Sequence, residues 1–201
     1  MLWTLASAMV LVSCGGDNSV ALDGDSPSLA GIVRQPYPDV SGVVLPEAAD
    51  DGKQFATKAE SGHLLVVYFG YTACPDVCPT TMSFLRRAVR DLGDDASMID
   101  VAMITVDPER DVPDRLTAYV ENFFADGYAL RTEDAAALQA AADAFGADYE
   151  ITVDEGGLVE VAHTGFLYAV DPEGRIRVQW PFGTTAETMN EDLAQLIQGG
   201  V

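Results

Sequence analysis

The stretch Leu64–Met82, LLVVYFGYTACPDVCPTTM, decides how this chain folds. Leu64 to Phe69 is an unbroken apolar run closed by Gly70, the pattern of a central strand covered on both faces. Pro79 suits a first helical turn and not a helix interior, which places Cys78 near the N-cap. From there Cys78, Met82, Leu85, Val89 and Leu92 recur at steps of four and three and draw one apolar stripe along a helix. Cys74 and Cys78 therefore lie between the C-terminal end of a strand and the N-terminus of a helix, where open α/β sheets place their chemistry. Free N–H groups and the positive dipole end make a thiol there easier to ionise, and the thiolate is the form that binds metals or attacks disulfides. A structural disulfide or two merely buried cysteines is the plainer account; two flanking prolines after a strand weigh against it.

Downstream, Ile99–Val106 is a second, largely apolar run interrupted by Asp100 and Thr105, a buried strand ending at Asp107-Pro108. Asp111-Val112-Pro113-Asp114 then opens a helix with Asp111 as its cap and Leu116, Val120 and Phe123 on the buried side. Tyr128–Arg131 is a short strand, and Thr132 caps a helix whose apolar face is Ala135, Leu138, Ala142 and Phe145. Glu150–Val153 and Leu158–Val161 flank Asp154-Glu155-Gly156-Gly157, a hairpin signal that delivers the chain to His163. Phe166–Val170 and Ile176–Trp180 form a second hairpin, and Thr184 with Glu187 makes a capping box for a closing helix. Upstream, residues 40–58 read as an N-terminal strand or hairpin. Periodicity alone supports an α/β sandwich with a mixed sheet. The element order is similar to a thioredoxin-like domain with an N-terminal strand or hairpin extension and an inserted β-hairpin.

The 201 residues, 48% of them apolar, suit one domain of ordinary size plus a tail. Eleven basic against thirty-two acidic side chains give a net charge of −21, which argues against nucleic acid or anionic lipid as a direct partner. Three cysteines do not make the even framework of a small disulfide-stapled domain. Cys14 stands apart, after an apolar run from Leu2 to Val12 that is too short to span a bilayer and has the length of a signal-peptide core. Leu11-Val12-Ser13-Cys14-Gly15 resembles the lipobox of bacterial lipoproteins, although no Lys or Arg precedes the apolar run. The expected organisation is a lipoprotein signal peptide over 1–14 with Cys14 lipidated, a flexible tether over 15–39 rich in Gly, Asp, Ser and Pro, and a folded domain over 40–201. That reading puts the domain outside the cytoplasm, lipid-anchored to the outer face of the bacterial cytoplasmic membrane, where an isolated thiol pair oxidises unless it is kept reduced or metallated.

Cys74, Cys78 and His163 offer two thiolates and one imidazole, a soft set of low coordination number that suits Cu(I), and Cu(II) when a further ligand joins. Zinc favours a fourth ligand or an open position. A Cys-x3-Cys spacing alone is a weak signal, and a lone histidine before an apolar strand is often only a hydrogen-bonded edge residue. The other histidine, His63, precedes the central strand at the opposite end of the sheet and reads as facing solvent.

Three separated segments carry a resemblance: YFGYTACPDVCPTTM at 68–82, TVDPERD at 105–111 and HTGFLYAVDPEGRI at 163–176. From about Val40 to the C-terminus the chain resembles the Sco/SenC family of copper chaperones, which help assemble cytochrome c oxidase. The resemblance implies a thioredoxin-like fold with an inserted hairpin, and one copper per chain held by Cys74, Cys78 and His163. It further implies delivery to the Cu-A subunit of cytochrome c oxidase, with another copper chaperone as a possible donor. Asp107, Arg110 and Asp111 match the family's DPxRD loop, either orienting the metal ligands or docking a partner; a capped loop–helix junction held by an Arg–Asp pair is the plainer role.

Two enzymatic readings compete. The first is a thiol–disulfide reductase, with Cys74 and Cys78 cycling as a redox disulfide that keeps a partner's cysteines reduced. Against it, thioredoxin-type reductases use Cys-x2-Cys with a facing cis-proline, and the corresponding position here is Ala162-His163-Thr164. The second is a thiol peroxidase or copper-dependent redox sensor; Thr72 precedes Cys74, but no arginine stands in the place that peroxidases of this superfamily use.

Overall fold

A computed structural model describes residues 28–199. The signal peptide and the lipidation site expected at Cys14 lie outside the described residues. The core is a five-stranded sheet built from β3 (Leu64–Gly70), β4 (Ile99–Thr105), β5 (Tyr128–Leu130), β8 (Leu167–Val170) and β9 (Ile176–Trp180), in the order β5-β4-β3-β8-β9. β3 pairs in parallel with β4 and antiparallel with β8, so it is central and all seven of its residues are buried. The continuous apolar run that marked it as central reflects this cover on both faces.

Side chains on a strand alternate between faces. Phe69 meets Phe145 of α3 (Ala135–Phe145), with ring centroids 5.3 Å apart, and Phe145 in turn meets Tyr168 at 5.2 Å. Edge-to-face pairs of this kind add about 0.5–1.5 kcal/mol each beyond area burial. Tyr68, the next residue along, is directed to the opposite face, where α1 (Val77–Arg90) lays Cys78, Met82, Leu85 and Val89 against the sheet. α4 (Ala186–Gln198) packs beside α1, tied by a 2.9 Å hydrogen bond from Asn190 Nδ2 to the Ala88 carbonyl.

Two small hairpins flank the sheet. β1 (Val44–Pro46) pairs with β2 (Gln54–Ala56), the expected N-terminal hairpin. β6 (Tyr149–Val153) pairs with β7 (Val159–His163), the expected insertion, and this ladder sets Tyr149 opposite His163.

Several helix starts differ from expectation, because side chains able to cap a helix found other partners. α2 (Pro113–Glu121) begins after Val112 without a side-chain cap; Asp111 is drawn into the interior instead. Asp134, not Thr132, caps α3 and accepts from the backbone of Ala136 and Ala137. Thr185, not Thr184, caps α4, while the Thr184 hydroxyl donates to the Pro181 carbonyl. α1 begins at Val77, with Asp76 at the N-cap, so Cys78 lies inside its first turn.

The expected tether over 15–39 lies only partly within the described residues, and its described part, 28–39, is bonded to the domain. Ala30 and Gly31 donate backbone N–H bonds of 2.7 and 2.8 Å to the carboxylate of Asp192, which also accepts Trp180 Nε1 at 2.7 Å. Ile32 bridges to Gln179, and Asp39 to Arg175, along the free edge of β9. His63 is likewise not merely solvent-facing, since its Nδ1 lies 3.0 Å from Asp100 Oδ2.

Candidate metal centre

The β3–α1 connection carries both cysteines. Gly70 ends β3 where an added Cβ would lie 2.6 Å from the Tyr68 ring, so the site leaves no room for a side chain. The turn after it is held from below by Asp111, which is fully buried. Its carboxylate accepts from Thr72 N at 3.0 Å, from Thr72 Oγ1 at 2.5 Å and from Thr105 Oγ1 at 2.6 Å. Thr105 Oγ1 in turn accepts from Asp107 N at 3.0 Å, which joins the end of β4 to the cysteine turn. Asp107 and Arg110 form an ion pair, and the Arg110 guanidinium sits 5.9 Å from the centroid of the Tyr71 ring. Of the three loop residues expected to support the site, Asp111 grips the cysteine loop directly, whereas Asp107 and Arg110 reach it through Thr105 and Tyr71.

Cys74 is half-buried and Cys78 fully buried, and both are free thiols. The Cys78 backbone N–H, freed by its place in the first helical turn, donates to Cys74 Sγ at 3.3 Å. Sequence reasoning expected thiols that ionise easily. For Cys78 burial outweighs the helix terminus and pushes the thiol up to about 12.

His163 reaches the cysteines from the end of β7, with Nε2 3.4 Å from Cys78 Sγ. The base of its hairpin is fastened by two bonds between Asp148 and Thr164: Thr164 N donates to the Asp148 carbonyl at 2.8 Å, and Asp148 N donates to Thr164 Oγ1 at 2.9 Å. His163 Nδ1 lies 3.1 Å from the Thr164 carbonyl. A carbonyl only accepts, so Nδ1 carries the proton and the Nε2 lone pair points at the sulfurs, the tautomer a metal ligand needs. Burial lowers the imidazole pKa below its ordinary value, which keeps this neutral form at physiological pH. Tyr68 and Tyr71 stand edge-on to the imidazole at 6.0 and 5.8 Å and fix its plane.

The ligand atoms of Cys74, Cys78 and His163 all lie within 4.8 Å of one another. Two thiolates bound to one ion through bonds of about 2.3 Å are at most about 4.6 Å apart, so a metal draws these donors together with movements below an ångström. Among the described residues this is the one group of three His, Cys, Asp or Glu side chains placed to hold a metal. His63, Asp107, Arg110 and Asp111 supply no ligand atom to it. The Thr72 hydroxyl is committed to Asp111, which leaves it unavailable to a peroxidatic Cys74.

Tyr68 and Tyr71, both within the cysteine segment, are neighbours of the imidazole that sequence reasoning missed. Strand alternation from the centre of β3 was the available signal, since it sends Tyr68 toward α1 and its cysteine.

The sequence profile of the SCO1/SenC family matches residues 48–198. A protein of Stutzerimonas stutzeri named for copper binding is 32% identical over 175 residues, spanning 86% of this chain and 82% of its own length. The structure of Bradyrhizobium japonicum ScoI with copper bound is 29% identical and superposes with a TM-score of 0.65 over 76% of this chain and 96% of that one. BsSco, a member of the Sco family of cytochrome c oxidase assembly proteins, superposes at a TM-score of 0.62 over 83% of this chain and 98% of that one. At 20% identity this last likeness bears on the fold alone.

Proposed function

Because this chain belongs to the SCO1/SenC family, we propose that it is a copper metallochaperone that takes part in cytochrome c oxidase assembly and passes copper to the Cu-A centre. The observation that carries the reading is the convergence of Cys74, Cys78 and His163 Nε2 within 4.8 Å, with the histidine already in its ligating tautomer. Two sulfurs and one nitrogen are a donor set suited to Cu(I), and copper-bound and copper-named relatives support that choice of metal. One ion per chain fits three donors.

Copper is the cargo, and its transfer is an exchange of ligands. Cys74 and His163 are half-buried, and a surface recess of about 600 Å3 lined by Asp148, Tyr149, Glu150 and Ala162 opens on His163. A partner's donors reach these two ligands first, and the fully buried Cys78 is the last to let go. The reading further includes an anchor: Cys14 lipidated at the resemblance to a lipobox, holding the domain at the outer face of the bacterial cytoplasmic membrane beside the oxidase. Another copper chaperone serves as donor.

A second reading draws on one feature of the same site. Cys74 is the accessible sulfur and Cys78 the buried one, the division of labour between an attacking and a resolving cysteine in thiol–disulfide exchange. Reduction of the partner's Cu-A cysteines through a Cys74–Cys78 disulfide is therefore an ancillary activity of the same thiols.

Anaerobic copper titration of the reduced protein, followed by metal analysis and X-ray absorption, tests the main reading. One copper with two sulfur ligands and one nitrogen ligand is the expected result. No retained copper, together with a readily cycling disulfide, would make reduction the principal activity.

A further inference from the structure

Among the described residues two aromatic side chains are exposed, Phe84 at 40% and Phe182 at 49%. They line one shallow recess together with Thr81 and Pro181, Phe84 from α1 and Phe182 from the loop after β9. Gly165, two residues beyond His163, joins this surface to the metal centre. A Cβ added there would lie 3.2 Å from Phe182 Cβ and 3.7 Å from Val77 Cγ1, and Val77 directly precedes Cys78. A single exposed apolar side chain needs no explanation, whereas two aromatic rings grouped at the rim of a site have the character of protein–protein anchors.

The hairpin side of the same rim is acidic. Residues 147–166 carry five carboxylates and no Lys or Arg. Asp148, Glu150 and Ala162 line the recess that opens on His163. The register of β6 with β7 sets Glu150 opposite Ala162 and Thr152 opposite Glu160, so Glu150 and Glu160 share one face of the hairpin. Asp148, Glu150 and Glu160 are all exposed, and none is in an ion pair among the described residues. Asp76, between the two cysteines, adds a fourth exposed carboxylate. Like charges left unpaired around the accessible Cys74 and His163 repel one another, and a cationic partner relieves that repulsion.

We propose that this face, apolar at Phe84 and Phe182 and acidic along the hairpin, is the docking surface for the copper donor, a protein that holds Cu(I) on uncharged thioether or imidazole ligands flanked by Lys or Arg and an apolar contact. This rests on the copper-binding reading above. Charge selects the donor over the acceptor. Uncharged ligands leave the positive charge of the ion on the donor's face, whereas an acceptor's thiolates would be repelled by the carboxylates. Two thiolates hold Cu(I) more tightly than uncharged ligands do, so transfer runs toward this chain. The ion remains Cu(I): bonds to the donor's ligands break as bonds to Cys74, His163 and Cys78 form, and the two thiol protons pass to solvent. The donor then carries one positive charge fewer, its attraction to the carboxylates falls, and it leaves.

The test follows anaerobic copper transfer to the full, reduced, metal-free chain from two Cu(I)-loaded peptides, read by the ultraviolet copper–thiolate absorption. The peptides share the same Met and His ligands; one is flanked by Lys and Leu, the other by Glu and Ser. The Lys–Leu peptide is expected to transfer about tenfold faster at low salt, with the advantage shrinking as salt is raised. Glu150→Lys combined with Glu160→Lys should abolish the salt-sensitive advantage, and Phe84→Ser and Phe182→Ser should each slow transfer about fivefold at any salt. Asp94→Lys combined with Asp126→Lys makes the same change in net charge just before β4 and β5, at the opposite end of the sheet, and Leu158→Ser removes an exposed apolar side chain from the hairpin turn. Both controls should transfer like the unmodified chain, and chelator competition should give every variant the same copper affinity. Should Phe182→Ser lower that affinity through Gly165, Phe84→Ser decides the apolar half, since Phe84 is not among the nearest neighbours of that glycine. Equal rates from the two peptides, or controls that slow as much as the face variants, would overturn the proposal and leave the copper reading standing. Failure of the unmodified chain to hold copper from either peptide would overturn the copper reading, and the proposal with it.

Discussion

His163 Nε2 lies 3.4 Å from Cys78 Sγ, although 85 residues separate them in the chain. The contact joins the first turn of α1 to the end of an inserted hairpin, so each holds half of a site that neither forms alone. Removing the imidazole should abolish tight copper binding and leave the fold intact, because His163 lies at a half-exposed hairpin end. For His163→Ala we expect a loss of affinity beyond the roughly 10–100-fold that changes outside the ligand set cost. Competition with a copper chelator measures it, and unchanged affinity would remove His163 from the ligand set.

Asp111 and Asp107 should separate sharply on mutation. Asp111→Ala leaves Thr72 N, Thr72 Oγ1 and Thr105 Oγ1 without their acceptor in a buried place, at a cost of about 3 kcal/mol or more. Denaturant unfolding should show that loss, together with weaker copper binding as the cysteine turn loosens. Asp107→Ala releases the Arg110 side chain and leaves the grip of Asp111 on Thr72 in place, so its copper affinity should fall less. Equal losses of affinity in the two variants would refute the division.

The metal-free, reduced protein should lose stability at high pH. Burial raises the Cys78 thiol from 9.0 to about 12, so between those values the folded chain holds a proton that the unfolded chain gives up. Its contribution is complete below about pH 9 and lost as pH rises toward 12. Cys78→Ser should flatten that part of a stability profile measured by urea unfolding.

At the acid end the sign reverses. Burial lowers the His163 pKa, so the unfolded chain binds a proton more readily than the folded one. Stability from this group is present above about pH 6.5 and falls as pH drops toward the lower folded value. Copper affinity should survive mild acidification better than a solvent-exposed histidine would allow. A copper-binding midpoint that follows an ordinary histidine pKa would contradict this.

Asp192 should govern the segment before the domain. Its buried carboxylate receives Trp180 Nε1 and the backbone N–H groups of Ala30 and Gly31. Asp192→Ala should destabilise the protein by about 3 kcal/mol and open residues 28–39 to limited proteolysis. Cleavage within that segment at the unmodified rate would show that the edge of β9 holds it without Asp192.

What the sequence determined by itself was local. The apolar run Leu64–Phe69 required a covered strand, Pro79 and the helical stripe from Cys78 required a helix after it, and Gly156-Gly157 required a turn before His163. These patterns depend on neighbours a few residues away, as do the three segments that carry the family likeness, so strand, cysteine turn and hairpin were legible. The tertiary structure decided the rest, because a polar group takes whichever partner folding brings near. Asp111 has the look of a helix cap and instead serves Thr72, 39 residues away. Asp192 captures Ala30 and Gly31 across more than 160 residues, which turns part of an expected tether into a bonded edge. Helix-terminus chemistry argued for thiols that ionise easily, and the depth at which Cys78 is buried decided otherwise.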